Sequence, residues 1–159
     1  MLNLYVERMI RERGTIMGLL KAENVNDSEF DEQVKVCGTV EREADCLPAG
    51  KYRVCIGKCI YHRRKMPFLV PMDSSQCALC CKARHSHEFG DITAFTSLPC
   101  AMIQPGNGPF TMSRGSILVG EVHAPGYVLK SQSLFTTLYE RIKKAVWRGN
   151  EVTLEIKEV

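Results

Sequence analysis

The C-terminal stretch SQSLFTTLYERIKKAVWRGNEVTLEIKEV constrains the fold more than any other part of this chain. Its first two thirds repeat apolar side chains at helical spacing, so that one face carries Leu134, Phe135, Leu138, Ile142, Ala145 and Val146. Ser131 or Ser133 can cap the start of this helix, and Gly149 favours its end. The segment 151–159 then alternates apolar and polar residues, which is typical of a strand with one buried face. The chain is therefore predicted to end in a helix followed by a strand.

The rest of the chain favours short strands separated by turns. Residues 2–7 alternate apolar and polar side chains, RERG at 11–14 indicates a turn, and TIMGLL predicts a second strand. The polar stretch 21–32 is predicted to be a loop, and QVKVCGTVE after it returns to strand character. LPAG at 47–50 indicates a turn, since Pro presets φ and Gly tolerates a positive φ. Many strands and one helix predict an α+β fold with a mostly antiparallel sheet, for which a barrel-like arrangement is one alternative.

Length and composition set the class of protein. A chain of 159 residues fits one domain, within which residues 58–97 form an insertion rich in cysteine and histidine. Its apolar content of 45% and charged content of 25% are those of an ordinary globular protein. No apolar run is long enough to span a bilayer, and the N-terminus lacks the apolar core of a signal peptide. The expected location is therefore the cytoplasm, without a membrane partner.

The charge of the chain does not favour nucleic acid as a partner. The net charge of +3 and the pI near 8.4 are mild. The basic run HRRK, His62 to Lys65, is compact, but acidic residues elsewhere nearly balance it. This run is expected to be a solvated face, and nucleic acid is not expected to bind.

Four motifs in a fixed order carry a resemblance to a known family. They are GTVE at Gly38–Glu41, LPAGKY at Leu47–Tyr52, IQPGN at Ile103–Asn107 and GSILVG at Gly115–Gly120. Together with the final helix and strand, they resemble an uncharacterised bacterial and phage-associated family, domain of unknown function family 5675. The resemblance covers nearly the whole chain and is weakest over residues 58–97.

The third and fourth motifs also resemble the active site of L,D-transpeptidases, which cross-link peptidoglycan. In those enzymes a His deprotonates a later Cys, and the thiolate attacks a peptide carbonyl. In this chain Gln104 stands at the His position and Ser116 at the Cys position. Gln cannot accept a proton at neutral pH, and a serine hydroxyl is a weak nucleophile without a base. The resemblance therefore implies a degenerate site in a non-catalytic binding or accessory domain for a peptide or peptidoglycan-like ligand.

The loop that contains these two positions has residues suited to binding. The expected ligand contacts are Gln104, Asn107, Arg114 and Ser116. Among them, the Arg114 guanidinium offers a planar fork to a carboxylate or phosphate. A third hypothesis is a serine acyl hydrolase, in which His123 activates Ser116 and Glu121 or Asp91 orients the imidazole. No catalytic residue is expected in the preferred interpretation.

The eight cysteines support a different class of function, a small zinc-stabilised interaction module. In a reducing cytosol cysteines are thiols or metal ligands rather than disulfides. Cys55 and Cys59 form a C-x3-C pair, and the C-x2-C pair at 77 and 80 follows after a gap of 17 residues. The first choices for zinc ligands are Cys59, Cys77, Cys80 and Cys81, with His85 or His87 as substitutes for the last. Ordinary thiols in the core or on loops, and a redox pair at 80–81, are the alternatives; no other cofactor is expected.

Zinc content separates these alternatives. A zinc module predicts about one zinc per chain in protein purified without chelator or a metal-affinity tag, and unfolding by strong chelator. Ordinary thiols predict no zinc and eight titratable thiols after unfolding. Elemental analysis combined with thiol titration on one sample measures both quantities.

Overall fold

A computed structural model of the chain describes residues 1–24, 34–59, 63–72, 85–86, 91–92, 101–108, 115–124 and 126–159. The elements within these ranges are β1 (Leu2–Glu12), β2 (Thr15–Asn24), β3 (Val34–Arg42), a 3-10 turn (Glu43–Asp45), β4 (Gly50–Cys59), β5 (Arg64–Pro71), β6 (His85–Ser86), β7 (Asp91–Ile92), β8 (Ile103–Gln104), β9 (Ile117–Ala124), β10 (Tyr127–Leu129), α1 (Ser131–Trp147) and β11 (Val152–Glu158).

One mixed sheet makes up most of the described structure. Its strand order is β10-β9-β3-β2-β1-β11-β4-β5, with β8 beside β9, while β6 and β7 pair separately. The pairs β1–β11 and β8–β9 are parallel, and the other pairs are antiparallel. The predicted α+β class, with a helix followed by a final strand, is confirmed. The sheet is a curled half-barrel rather than a closed barrel, and it is not purely antiparallel because β11 inserts beside β1.

The helix α1 buries one face in the main hydrophobic core. Phe135, Leu138 and Ile142 are buried as the spacing predicts, and they join the inward residues of β1, β4 and β11. Val146 lies at the edge of the buried face and is 36% exposed, whereas Tyr139 is buried. Each fully buried side chain of this size contributes about 1.5–3 kcal/mol, so the helix is held by packing.

The two ends of α1 differ from one another in how well the sequence predicted them. Gly149 ends the helix with a φ of 77°, and the N–H that follows it, from Asn150, donates to the Ala145 carbonyl at 3.0 Å. The predicted serine caps are wrong, because the N-cap is Lys130 in a left-handed conformation without a side-chain cap. The Ser131 hydroxyl donates to the β9 backbone instead, and it accepts a hydrogen bond from the Gly106 N–H at 3.0 Å.

The first hairpin is longer than the sequence predicted. β1 continues to Glu12, so the turn contains only Arg13 and Gly14. β2 continues to Asn24, so the first residues of the predicted loop 21–32 form a strand, and residues 25–33 lie outside the described ranges. The reason is pairing on both sides: Lys21 lies opposite Tyr5 of β1 and Lys35 of β3.

A buried charge cluster closes one end of the half-barrel. Arg8 follows the apolar residues of β1 on the inward face and is only 4% exposed. Its guanidinium binds both carboxylate oxygens of Glu41, at 2.8 and 3.0 Å, and donates to the Leu47 carbonyl. Its remaining nitrogen donates to Glu158 at 3.0 Å, so β1, β3, β11 and the 47–50 turn meet at one side chain.

The electrostatics of this cluster favour the charged forms. Burial by itself lowers the pKa of Arg8, but the hydrogen bonds and charge of Glu41 outweigh burial and raise the pKa above its ordinary value. The hydrogen bond from Arg8 lowers the pKa of Glu158, and Arg11 adds to this effect. The stabilisation from Glu158 is therefore present above the ordinary pKa of a glutamate and is lost as the pH falls through its lower folded value.

Removal of Arg8 alone should destabilise the protein strongly. The Arg8→Met variant leaves Glu41 buried without its counter-charge, and we expect a loss of about 3–5 kcal/mol in the free energy of unfolding. Urea denaturation followed by circular dichroism measures it. The double variant Arg8→Met/Glu41→Leu should recover most of the loss, because it leaves no buried charge. The control Arg11→Gln, at an exposed partner of Glu158, should cost at most about 1 kcal/mol. Additive losses in the double variant would contradict a coupled pair.

Candidate functional site

The two positions of the transpeptidase-like motif are inaccessible in this structure. β8 pairs in parallel with β9, with Gln104 opposite Leu118, so the motif segments lie side by side. The side chains of Gln104 and Ser116 are each 1% exposed. The Ser116 hydroxyl accepts a hydrogen bond from the Met102 N–H at 3.1 Å, and the Gln104 amide donates to the Pro105 carbonyl at 3.4 Å. Both side chains are used inside the fold, and a ligand reaches them only if this segment opens.

The structure separates the other residues predicted for this loop. Asn107 is exposed, and its carbonyl accepts a hydrogen bond from the Val128 N–H at 3.1 Å. Arg114 lies outside the described residues. Gln104 and Ser116 are buried and Asn107 is exposed, so these three predicted contacts do not line one open cavity. A joint role of all four predicted contacts stays a prediction.

The Ser116–His123 pair of the hydrolase hypothesis is kept apart by β9. Six of its extended residues separate the two positions, and at about 3.3 Å per residue their Cα atoms lie about 23 Å apart. A general base must lie within about 3 Å of the hydroxyl that it activates. Of the two predicted orienting acids, Glu121 is exposed and pairs with Lys130 at 3.5 Å, and the side chain of Asp91 lies outside the described part of the chain.

The zinc prediction falls mostly outside the described residues. Cys59 ends β4, but its side chain is not described, and the cysteines at 77, 80 and 81 lie in an undescribed range. Cys37 lies in the core, and Cys46 and Cys55 are partly buried. Within the described ranges, no group of three potential ligands is placed to hold a metal ion. Zinc binding stays a prediction.

The largest cavity described lies between the second half of α1 and the β4–β5 hairpin, and we call it the helix–hairpin groove. Its volume is about 880 Å³, within the range of small-molecule and cofactor sites. The first residue of β11 and the turn before it form the floor at one end. The groove is lined by Arg53, Val54, Cys55, Ile56, Arg64, Lys65, Tyr139, Glu140, Lys143, Val146, Trp147, Asn150, Glu151 and Val152.

The helical period explains why α1 presents its part of the groove on one side. Residues 139, 143 and 146–147 are spaced by three or four positions, so their side chains lie above one another. Tyr139 is the innermost of them and is buried. Trp147 is the outermost and is 84% exposed. The groove therefore changes from a buried wall to an open aromatic rim along a single helix face.

Arg64 and Tyr139 form part of the groove wall, with the buried ring of Phe135 behind them. The Arg64 guanidinium lies 4.9 Å from the ring centroid of Tyr139 and 5.5 Å from that of Phe135. The two rings stack with centroids 5.9 Å apart. Stacking holds a guanidinium by its face, and although the Nε of Arg64 donates to the Lys65 carbonyl at 3.4 Å, a guanidinium has further N–H groups that can donate to an anion. Burial raises the pKa of the Tyr139 hydroxyl, although Arg64 opposes the shift, so the hydroxyl stays protonated at neutral pH.

The outer rim combines an aromatic ring with further positive charge. Lys143 lies over the Trp147 ring, with its Nζ 5.9 Å from the centroid. Trp147 also lines a second cavity of about 500 Å³, which we call the helix-flank cleft. That cleft is lined by Glu140, Arg141, Lys143, Lys144 and Trp147. Glu140, Lys143 and Trp147 therefore line both cavities.

Positive charge exceeds negative charge in both cavities. Four basic and two acidic side chains line the helix–hairpin groove, and three basic and one acidic line the helix-flank cleft. The basic residues come from α1 and from the hairpin segment 53–65, which are distant in sequence. The arrangement can attract an anion and offer it hydrogen bonds and an aromatic surface.

Sequence reasoning treated the parts of this surface separately. Arg64 and Lys65 were predicted to belong to a solvated face, and no function was predicted for Lys143, Lys144 and Arg148 near the end of α1. Trp147 is the single tryptophan of the chain, and it follows directly on this basic segment. That juxtaposition was the available signal of a binding surface.

Comparison of the chain with protein-family models, curated proteins and solved structures finds no match. The resemblance to the uncharacterised family rests on the sequence motifs alone. In the part of the chain that the structure describes, no helix is long and apolar enough to cross a membrane. The class defined by fold and surface is an α+β domain with a curled mixed sheet and a basic, aromatic groove.

Ser116 should behave as a structural residue. We expect no labelling of the protein by a fluorophosphonate, which reacts with activated serines. Ser116→Ala leaves the buried Met102 N–H without its acceptor, so it should cost about 1–3 kcal/mol in urea denaturation. The control Ser133→Ala, at an exposed hydroxyl in α1, should change stability by less than about 0.5 kcal/mol. Fluorophosphonate labelling that Ser116→Ala abolishes would revive the hydrolase hypothesis.

Proposed function

We propose that this protein is a non-catalytic binding domain that takes an anionic ligand in the helix–hairpin groove. The observation that carries the proposal is the groove itself: an open cavity of about 880 Å³ in which basic side chains surround aromatic rings. A peptide with free carboxylates, the kind of ligand that the transpeptidase resemblance implies, is one member of this class.

The fixed geometry of Arg64 supports binding over a solvated surface. A solvated arginine samples many rotamers, and ordering its side chain on a ligand costs up to about 2 kcal/mol. Stacking on Tyr139 and Phe135 orders the guanidinium beforehand. A preorganised donor loses less entropy on binding, so it contributes more affinity than a free one.

The state of Ser116 supports the non-catalytic part of the proposal. Its hydroxyl is buried and accepts a hydrogen bond from the backbone, and Gln104, on the neighbouring strand opposite Leu118, supplies no base. The same geometry gives no support to the third hypothesis, an acyl hydrolase. The alternative of a zinc-stabilised interaction module begins in the same hairpin, since Cys59 ends β4, and it stays a separate prediction.

Titration with inorganic tripolyphosphate tests the proposal. Trp147 is the only tryptophan, so fluorescence excited selectively in tryptophan, rather than in the five tyrosines, reports on the rim of the groove. We expect a saturable change that weakens as salt is added, because the partners are exposed charges. Lys65→Gln and Lys143→Gln should each weaken binding about two- to fivefold, as expected for loss of one partly exposed ionic contact.

Arg13→Gln is the matched control for these variants. Arg13 is exposed in the β1–β2 turn, whereas Leu2, at the other end of β1, pairs with Val152 in the groove wall. The control should bind tripolyphosphate like the unmodified protein. A non-saturable response, or equal weakening by Arg13→Gln, would indicate diffuse attraction by net charge and would remove the groove as the site.

A further inference from the structure

We infer that the ligand of this surface is a single strand of nucleic acid whose bases stack on Trp147 and whose phosphates contact the basic residues on both of its sides. The inference rests on the proposed anion-binding function and adds the chemical class of the ligand. The observation behind it is that one exposed indole, Trp147, lines both the helix–hairpin groove and the helix-flank cleft.

The exposed ring of Trp147 is suited to stacking against a planar group of a ligand. The indole is 84% exposed and makes its described ring contact with a single side chain, Lys143. It contributes little to the core, so its burial cannot explain its place on a basic helix. Proteins that bind single strands combine a positive groove with aromatic rings on which bases stack, and each stacked base adds substantially to affinity.

The two cavities favour a polymer over a single small molecule. Glu140, Lys143 and Trp147 line both of them, and a ligand confined to one cavity leaves at least two of the six basic residues without contact. Arg141 and Lys144 then lie on the flank side, and Arg64 and Lys65 on the groove side. A strand that passes over the indole places phosphates on both sides and a base at the ring.

The exposed indole of Trp147 also distinguishes among polyanions. In a duplex the bases are stacked on one another and paired, so they cannot reach an indole without being flipped out. An acidic peptide satisfies the basic residues but has no planar groups to stack regularly on Trp147. The mild net charge of +3, which argues against nucleic acid when it is averaged over the chain, does not describe a surface where basic residues are gathered.

The first experiment is a fluorescence titration of the full chain with a 12-mer of deoxythymidine at low salt. We expect saturable quenching of Trp147 by the stacked base. With a fluorescein-labelled strand and anisotropy detection, Trp147→Leu should weaken binding about five- to a hundredfold, and Trp147→Phe should restore part of the affinity. Since Trp147 is exposed, these variants should fold like the parent. Tyr127→Leu, at an exposed aromatic residue of β10, is the matched control and should bind normally.

The salt dependence counts the phosphate contacts. For a single strand the slope of log K against log salt is about −0.7 per neutralised phosphate. Lys143→Gln and Lys144→Gln should each make the slope less negative by about 0.7, because each removes one phosphate contact. Arg13→Gln should leave the slope unchanged. An unchanged slope in both lysine variants would remove them from the interface and overturn the inference.

Competitors separate failure of the inference from failure of the proposed function. If poly-L-glutamate of equal length binds as tightly as the 12-mer, and Trp147→Leu weakens neither, the nucleic-acid inference is overturned and anion binding stands. Tighter binding of the duplex than of the single strand overturns the choice of a strand, as does equal binding of thymidine monophosphate. If neither the strand nor tripolyphosphate binds, both the inference and the proposed function fail.

Discussion

The parallel pairing of β1 with β11 is the constraint on which the rest of the described structure depends. β10 lies at one edge of the sheet, and β11 lies five strand positions away, between β1 and β4. At about 4.8 Å per position the chain must cross about 24 Å, and a helix of 17 residues is about 25 Å long. The helix α1 therefore spans the curled sheet, and its end meets the β4–β5 hairpin. The groove exists because this crossover ends where it does.

The same pairing gives the two ends of β1 different chemistry. At one end Leu2 lies beside Val152 in the groove wall, and at the other Arg8 lies beside Glu158. The Arg8 end is closed by ionic and backbone contacts to Glu41 and Leu47. A buried pair of this kind is costly to break and adds little over apolar packing, so its value lies in fixing which strands meet. The Arg8 end of β1 is therefore held by buried ionic contacts, whereas the Leu2 end lies next to the helix–hairpin groove.

Local periodicity predicted those elements whose neighbours did not matter. The buried face of α1 was predicted correctly at Phe135, Leu138 and Ile142, because an amphipathic helix is defined by its own spacing, although neither of the two predicted serine caps was right. The length of β2 was missed, because Lys21 is held in a strand by partners on both sides. The parallel position of β11 was missed for the same reason, since no local pattern selects a strand partner some 150 residues away. Pairing is a property of the whole sheet.

Beyond the single tryptophan among basic residues, the candidate surface was not predictable, for a related reason. Arg64 and Lys143 are about 80 residues apart, and each belongs to a segment that by itself resembles a solvated face. Their common cavity follows from the crossover of α1, which the sequence does not specify. By contrast, the motif that attracted attention in the sequence contains the buried residues Gln104 and Ser116. A conspicuous motif and an accessible site are different things in this chain.

Close packing in the sheet explains why two positions of the sequence motifs are glycines. Gly38 of the GTVE motif lies in β3, and Gly120 of the GSILVG motif lies opposite it in β9. A Cβ on Gly120 would lie 2.8 Å from the Cβ of Val128, and a Cβ on Gly38 would lie 2.7 Å from a methyl of Val122. Both positions therefore exclude side chains, because the edge of the sheet folds closely over them.

The loop before β9 extends this structural role to the groove. The backbone of Gly106 donates to the Ser131 hydroxyl, and that hydroxyl donates in turn to the Val119 carbonyl. The first turn of α1 is thereby fixed to both motif segments, in place of an ordinary side-chain cap. Because the helix is a rigid rod, its anchored start sets where Trp147 lies at its far end. The IQPGN and GSILVG motifs thus position the helix that carries the proposed binding surface.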